Sequence, residues 1–159
     1  MHAYRPITVA AMLAALATAT VAVVPASGVD IPEDCTILGT EGDDVIEGSS
    51  KPEVICALGG NDIIRAGSQA LSDDQADVVY GGAGDDEIVI DGDATVYGGP
   101  GNDTIDCARV LTRRVTCIFD GGAGDDRLRA DPRAGGWLLG GDGDDTLTGV
   151  VLHGGQGQD

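Results

Sequence analysis

The sequence predicts an all-β fold: a parallel β-roll or β-helix solenoid of about six to seven coils, with Gly-Asp loops stacked on one edge. Three observations predict it. A nine-residue pattern rich in Gly and Asp recurs along most of the 159 residues, and large aliphatic residues recur at one fixed position of that pattern. The chain also has 26 Gly and only 3% aromatic residues, so a conventional aromatic-rich core is not expected.

The repeat is visible when Gly and Asp are aligned. Six segments align over nine positions and a seventh is incomplete, at 39–47, 57–65, 81–89, 98–106, 121–129, 140–148 and 154–159. The fourth position is always Gly, and the eighth position of each full segment is Ile or Leu. The sixth position is always Asp: Asp44, Asp62, Asp86, Asp103, Asp126, Asp145 and Asp159.

The segments start 18, 24, 17, 23, 19 and 14 residues apart, which is about twice nine. Two residues before each segment there is a second apolar position, occupied by Ile37, Ile55, Val79, Val96, Phe119, Leu138 and Leu152. A coil therefore has two half-turns, one with an intact loop and one with a degenerate loop. Because coils of a parallel stack lie about 4.8 Å apart, equivalent residues should form columns, and the apolar columns should form a thin core.

Charge limits the partners of this chain. With 27 acidic against 9 basic residues, the net charge is −18, which opposes association with nucleic acid or an anionic membrane and favours a cationic partner. A disordered acidic chain is the alternative that this composition suggests. Disorder predicts no columns of aligned residues, so the repeats argue against it, although it stays open for a metal-free chain.

Four of the segments, GGAGDDEIV, GGPGNDTID, GGAGDDRLR and GGDGDDTLT, resemble the nonapeptide repeats of the RTX family of calcium-binding β-roll proteins. The resemblance covers about residues 39–159. It implies Ca²⁺ as the bound cofactor, with each ion between consecutive loops and up to about six ions in all. The weakened loops on alternate half-turns depart from the family pattern and put a second ladder of ions in doubt.

The motif suits Ca²⁺, which takes six to eight oxygen ligands from carboxylates and backbone carbonyls. Glycine at the first, second and fourth positions is expected to adopt positive φ and turn carbonyls toward one point, and the sixth-position Asp adds charge. Ordinary Gly-Asp turns are the alternative, but turns do not require this register. The candidate backbone ligands are Gly39, Gly42, Gly60, Gly81, Gly82, Gly84, Gly98, Gly99, Gly101, Gly121, Gly122, Gly124, Gly140, Gly141, Gly143, Gly154, Gly155 and Gly157.

Other acidic residues are expected to face solvent. Asp85, Asp125 and Asp144 flank the sixth-position Asp of their loops and should face solvent or neighbouring ions. Glu53 and Asp77 fall at the sixth position of degenerate half-turns. Either could hold an ion, but neither has a full glycine frame, so exposure to solvent is the favoured interpretation.

The N-terminus reads as an export signal. Residues 1–27 contain Arg5 followed by an apolar or small run at 7–24, and cleavage is expected from Ala26 to Gly28. An uncleaved anchor is the alternative. Residues 28–38 form a lead-in or cap and 39–159 the repeats, so we expect a secreted protein with no stable membrane span after signal removal.

Four cysteines lie in the predicted mature part, an even number typical of disulfides in an oxidising compartment. Cys35 and Cys56 fall on adjacent degenerate half-turns, and Cys107 and Cys117 would close one irregular loop. These two bridges are favoured, while other pairings stay open. Zinc is disfavoured because no Cys-x-x-Cys spacing occurs.

No catalytic motif is evident, so a non-enzymatic protein is predicted. The mature part has one histidine, His153, and no Gly-x-Ser-x-Gly sequence. Two alternatives stay open: a surface adhesion or matrix protein using the irregular edge that carries Arg109, Arg113 and Arg114, and a fragment of a larger secreted hydrolase. Trp137 is expected in the core or covering an edge. The sequence identifies no protein partner.

Overall fold

The computed structural model describes residues 32–67, 76–107, 115–149 and 152–158, and all regular structure in these ranges is β-strand. Period-two burial within the strands reflects the alternation of the sequence, as in the eBeB pattern of Arg127–Ala130. The strands are β1 Ile37–Leu38, β2 Val45–Glu47, β3 Val54–Cys56, β4 Ile63–Ala66, β5 Asp77–Tyr80, β6 Glu87–Ile90, β7 Ala94–Pro100, β8 Thr104–Cys107, β9 Thr116–Ala123, β10 Arg127–Ala130, β11 Gly135–Asp142, β12 Thr146–Thr148 and β13 Leu152–His153.

The strands form two parallel sheets that wind as a solenoid. The odd-numbered strands make a seven-stranded sheet in chain order, and the even-numbered strands make a six-stranded sheet in the same way. Every named pairing is parallel and joins strands two apart in the chain. The predicted all-β parallel solenoid is confirmed, and each coil contributes one strand to each sheet.

The apolar columns lie in register, as predicted. In the six-stranded sheet, Ile64 pairs with both Ile46 and Ile88, and the column continues upward to Leu147. In the seven-stranded sheet, Val96 pairs with Val79 and Phe119 in a column that runs from Ile37 to Leu152. Between the two end coils these side chains are buried, so the core is a thin layer between the sheets.

The outer faces of the two sheets differ in chemistry. The six-stranded sheet carries charged residues that pair between coils, with Arg65 Nη1 3.0 Å from Glu47 Oε1 and Arg129 Nη1 3.3 Å from Asp106 Oδ2. The seven-stranded sheet is largely uncharged and exposes Trp137, which is 53% accessible to solvent. Trp137 is therefore not in the core, contrary to one of the two expected positions, because it occupies an outward position of β11.

Both predicted disulfides are present. Cys35 and Cys56 are bonded with their Cα atoms 5.9 Å apart, and Cys107 and Cys117 with their Cα atoms 6.6 Å apart. The first bridge links the lead-in to the second coil, and the second encloses residues 108–116, which include the segment 108–114. That segment holds Arg109, Arg113 and Arg114, and it lies outside the described residues.

The predicted signal at 1–27 also lies outside the described residues. Among the residues that are described, none belongs to a helix long and apolar enough to cross a membrane.

The core column generates a stability prediction. Replacing the fully buried Ile88 with Ala should lower the free energy of unfolding by about 2 to 5 kcal/mol, because the cavity cannot close between two paired neighbours. The adjacent Glu87→Ala variant is the control, since Glu87 is exposed and should change stability by less than about 0.5 kcal/mol. Urea unfolding in calcium-containing buffer measures both variants, and equal losses would contradict the assigned core.

Candidate metal centre

The intact Gly-Asp loops stack on one edge, between the odd strands and the even strands that follow them. Strands β7, β9 and β11 extend into the loops, so that Gly122 pairs with Gly99 and with Gly141. At the fourth position the Gly101 amide donates to the Ala123 carbonyl at 2.8 Å, and the Gly124 amide donates to the Asp142 carbonyl at 2.7 Å. The loops therefore continue the register of the sheet.

Glycine is needed at three loop positions for two different reasons. The second and fourth positions have positive φ in the regular loops, for example 118° at Gly99 and 145° at Gly101. Leu58 holds the second position of its loop at φ 82°. The first position does not share this conformation, so the expectation of positive φ there was wrong.

The first-position glycine is required for space. A Cβ on Gly98 would contact the Asp103 Oδ2 atom of its own loop and would lie 2.5 Å from the Gly121 carbonyl oxygen of the next loop. Gly121 meets Asp126 Oδ2 and the Gly140 carbonyl in the same way. Beside Gly98 and Gly121, two acceptor oxygens from consecutive coils therefore converge on one small space.

The sixth-position aspartates form a continuous ladder. The amide of each one donates to the Oδ1 atom of the sixth-position Asp in the next coil, as from Asp86 to Asp103 at 2.9 Å. Four further bonds of 2.7–2.9 Å continue the ladder from Asp44 to Asp145. From Asp62 onward these residues are buried, with only 1–4% of each accessible. The structure therefore brings the predicted sixth-position aspartates of the described loops together in one column.

The second carboxylate oxygens of this column have no donor. The Oδ2 atoms of Asp62, Asp86, Asp103, Asp126 and Asp145 are buried, and no group among the described residues donates to them. Leaving a buried acceptor unsatisfied costs about 1 to 3 kcal/mol, and more for a charged group. In the described part of the chain, one other buried acceptor lacks a donor, Asp106 Oδ1, and the second oxygen of its carboxylate accepts from Arg129 on the outer face. A cation at the loop edge would satisfy the five Oδ2 atoms, so the residues present fit a metal ion.

The donor set is of the hard, oxygen-only type. Among the described residues, no three His, Cys, Asp or Glu side chains converge as a group that could hold a metal ion. A metal ion held here would take backbone carbonyls as well as ladder carboxylates, and carbonyl oxygens such as that of Gly121 lie beside the first-position glycines. Oxygen ligands of this mixed kind are those that Ca²⁺ takes.

Burial changes the acidity of the ladder. It raises the pKa of Asp103 to about 8, of Asp86 to about 7 and of Asp126 to about 6, with neighbouring carboxylates adding repulsion. The pKa of Asp62 is also raised, mainly by burial. Without a cation, burial therefore shifts these four carboxyl groups toward their protonated form.

The two ends of the ladder differ from its middle. In the first loop, Asp44 Oδ2 accepts the Thr40 amide at 2.6 Å and the Thr40 hydroxyl at 2.9 Å, and Gly42 does not have positive φ. The Oδ2 atom of Asp44 is thus occupied, because Thr40 replaces the usual second glycine. At the other end, Asp159 lies outside the described residues, while Gly157 keeps a φ of 156°.

On the degenerate edge, the expectation that Asp77 faces solvent was wrong. Asp77 is fully buried rather than solvent-exposed, and its Oδ1 accepts the Glu53 amide at 3.0 Å, repeating the sixth-position pattern. Glu53 is half-buried, and its carboxylate accepts the amide and the hydroxyl of Ser49 at 2.7 Å each. Both residues therefore hold backbone conformation on this edge.

A second ladder at the fifth position is a further finding. Asp85, Asp125 and Asp144 do more than face solvent, because each accepts the fifth-position amide of the following coil at 2.8–2.9 Å. Asp43, Asn61 and Asn102 accept in the same way at 2.8–2.9 Å. The signal in the sequence was the restriction of this position to Asp or Asn in every full segment.

The comparison with known families agrees with this geometry. A model of four copies of the RTX calcium-binding nonapeptide repeat matches residues 36–64, 72–89, 90–106, 118–132 and 136–149, more than half of the chain. The chain belongs to this RTX family. No match was found among curated proteins or among solved structures. Calcium binding through RTX repeats with a stacked Asp ladder is thus the activity of the described loops.

The lack of space beside the first-position glycines predicts that a larger residue there destabilises this RTX chain. Gly98→Ala should lower the free energy of unfolding by about 1 to 3 kcal/mol, because the new methyl group would overpack the space between Asp103 Oδ2 and the Gly121 carbonyl. Gly42→Ala is the control, since a Cβ there meets nothing within 4 Å. Urea midpoints in calcium measure both variants. A Gly98→Ala midpoint as high as that of Gly42→Ala would contradict the crowding.

The raised pKa values predict how metal-free stability varies with pH. A folded pKa above the unfolded value of about 3.8 stabilises the folded state fully below pH 4, and this contribution is lost as the pH rises through the folded values of about 6 to 8. The β-type circular dichroism of the disulfide-bonded chain in metal-free buffer should therefore decrease between pH 5 and pH 8.5. A β signal that increases over this range would contradict the burial of these carboxyl groups.

Proposed function

We propose that this chain binds several calcium ions along its loop edge, each between consecutive loops. The ligands are the sixth-position carboxylates together with backbone carbonyls of the glycine-rich turns. Support comes from one observation above all, the five buried Oδ2 atoms that lack donors among the described residues. Seven loops in the sequence correspond to up to about six ions. The site at the first loop is the weakest of these, because Asp44 Oδ2 already accepts two hydrogen bonds from Thr40.

Folding of the solenoid is coupled to calcium in this proposal. Carboxylates stacked about 4.8 Å apart repel one another, and burial makes their charged form still less favourable. Calcium between them offsets both costs, so metal binding and folding occur together. Half-saturation should lie at roughly 10⁻⁴ to 10⁻³ M, the range of extracellular calcium modules. Mg²⁺ should substitute poorly, because it requires tighter octahedral geometry and loses water reluctantly.

We propose a secreted protein. The export-like segment at 1–27 supports this, as do the two disulfides, which persist in oxidising compartments and are rare in the cytosol. In this proposal, calcium outside the cell completes the fold after export.

The proposed role is non-catalytic, because the paired acidic residues, which could perform acid–base chemistry, belong to the repeating Gly-Asp loops. A surface adhesion or matrix protein is the second candidate. It is favoured by the exposed apolar residues on the outer face of the seven-stranded sheet, namely Leu38, Tyr97, Trp137 and Leu139.

A calcium titration with a matched pair of variants tests the proposal. From a chelated start, the disulfide-bonded residues 28–159 should gain β-type circular dichroism cooperatively with Ca²⁺ and not with Mg²⁺. Asp103→Asn should raise the calcium midpoint by about tenfold, since affinity follows the number of charged ligands. Glu87→Gln removes the same charge from an exposed strand position and should leave the midpoint within about twofold of the parent.

No spectral response to Ca²⁺, together with no heat of binding in calorimetry, would refute the calcium-coupled fold. Equal shifts in Asp103→Asn and Glu87→Gln would show that calcium responds to overall charge rather than to the sixth-position ladder.

A further inference from the structure

Neighbouring loops are joined by two hydrogen-bond ladders of opposite direction. At the sixth position, the Asp103 amide donates forward to Asp126 Oδ1 of the next coil at 2.8 Å. At the fifth position, the Asp125 amide donates backward to Asn102 Oδ1 of the preceding coil at 2.8 Å. Adjacent residues of one loop therefore bind adjacent residues of the next loop in both directions.

The two ladders differ in chemistry and in environment. The sixth-position column contains only Asp and is buried along most of its length. The fifth-position column is exposed and mixes carboxylate with amide, in the order Asp43, Asn61, Asp85, Asn102, Asp125, Asp144 and Gln158. An amide oxygen accepts a hydrogen bond as a carboxylate oxygen does, but it adds no charge. The fifth position therefore requires an acceptor and not a charge.

Asn102 shows this requirement most clearly. Its Oδ1 accepts the Asp125 amide, while its own amide and its Nδ2 both donate to Asp85 Oδ1, at 2.8 and 3.2 Å. One neutral side chain thus connects three consecutive loops. It also separates the carboxylates of Asp85 and Asp125 by two coils, about 10 Å, where salt screens their repulsion.

We infer that the fifth-position side chains are positioning residues, which set calcium affinity by holding consecutive loops in register without acting as calcium ligands. The oxygens that converge beside Gly81, Gly98 and Gly121 come from two different coils, so their separation depends on that register. The ladder bonds are made by the chain alone, and they hold the loops in place for the ion. This inference rests on the proposed calcium function and assigns a role to residues outside the ligand set.

The opposing interpretation is that the fifth-position carboxylates attract or bind calcium through their charge. The two interpretations predict opposite results for two substitutions. Asn102→Ala removes an acceptor and changes no charge, whereas Asp125→Asn removes a charge and keeps the acceptor for the Asp144 amide. Asn102→Asp keeps the acceptor and serves as the conservative rescue.

Calcium titrations followed by circular dichroism and calorimetry compare these variants of the disulfide-bonded chain. Asn102→Ala should raise the calcium midpoint about three- to tenfold and make the titration less steep, as expected for loss of a backbone-to-side-chain bond between coupled sites. Asn102→Asp and Asp125→Asn should stay within about twofold of the parent. Thr104→Ala, at an exposed position of the same coil, is the matched control for loss of a small polar side chain. Its calcium midpoint should also stay within about twofold of the parent.

A parent-like midpoint in Asn102→Ala, or a loss in Asp125→Asn equal to that in Asn102→Ala, would overturn the inference. Asp126→Asn separates this failure from failure of the proposed function, because it removes a sixth-position charge in the same loop. A parent-like midpoint in Asp126→Asn means that the proposed calcium site fails there. A weakened Asp126→Asn beside a parent-like Asn102→Ala means that only the positioning role fails.

A second pair keeps the test decisive if Asn102→Ala does not fold in calcium. Asp43 forms the first bond of the same ladder, accepting the Asn61 amide at 2.8 Å at the exposed end of the solenoid. Asp43→Ala should raise the midpoint more than Asp43→Asn does, because both lose the charge and only the Ala variant loses the acceptor. Equal midpoints in these two variants would overturn the positioning role.

Discussion

In-register parallel stacking is the constraint on which the rest of this structure depends. Because each coil lies about 4.8 Å from the next, every residue of an interior strand or Gly-Asp loop has a residue of the same repeat position above and below it. For Ile64 and Ile88 this is favourable, since like apolar side chains bury one another. For Asp86 and Asp103 it is unfavourable, since like charges are brought together in a buried column. The same geometry thus produces both the core and the need for a cation.

The loop edge resolves this conflict through a division of roles among adjacent positions. The second and fourth glycines provide backbone conformation, and the first glycine provides space. The fifth-position side chain accepts a backbone amide of a neighbouring coil, and so does the Oδ1 atom of the sixth-position Asp. The Oδ2 atom of that Asp is left directed at the shared space. The apolar eighth position anchors each loop to the core. A repeat built mainly from Gly and Asp therefore forms an ordered array of oxygens, because each of its positions meets a separate physical requirement.

Much of the fold could be predicted from the sequence, because a column is visible as a repeat. The apolar columns and the sixth-position aspartates follow from spacing. Spacing also favoured the Cys35–Cys56 pair, which the structure confirms, but it left other pairings open. Features that depend on a single neighbour could not be predicted. Thr40 donates two hydrogen bonds to Asp44 Oδ2, the oxygen that lacks a donor in the later loops. Asp77 is buried on the edge that has no regular glycine frame. The fifth-position ladder was visible as a restriction to Asp or Asn, but that restriction alone does not distinguish a ligand from a hydrogen-bond acceptor.

The lengths of the coils show where this architecture tolerates change. Each Gly-Asp loop keeps its six positions, while whole coils range from 17 to 24 residues in the interior of the repeat array, so the variation falls on the opposite edge. Insertions there leave the hydrogen-bond register of both sheets intact, because every coil returns to the same pairing position. Evolution, or an engineer, can therefore lengthen this edge to display a new sequence, while the loop edge and the core remain an invariant scaffold.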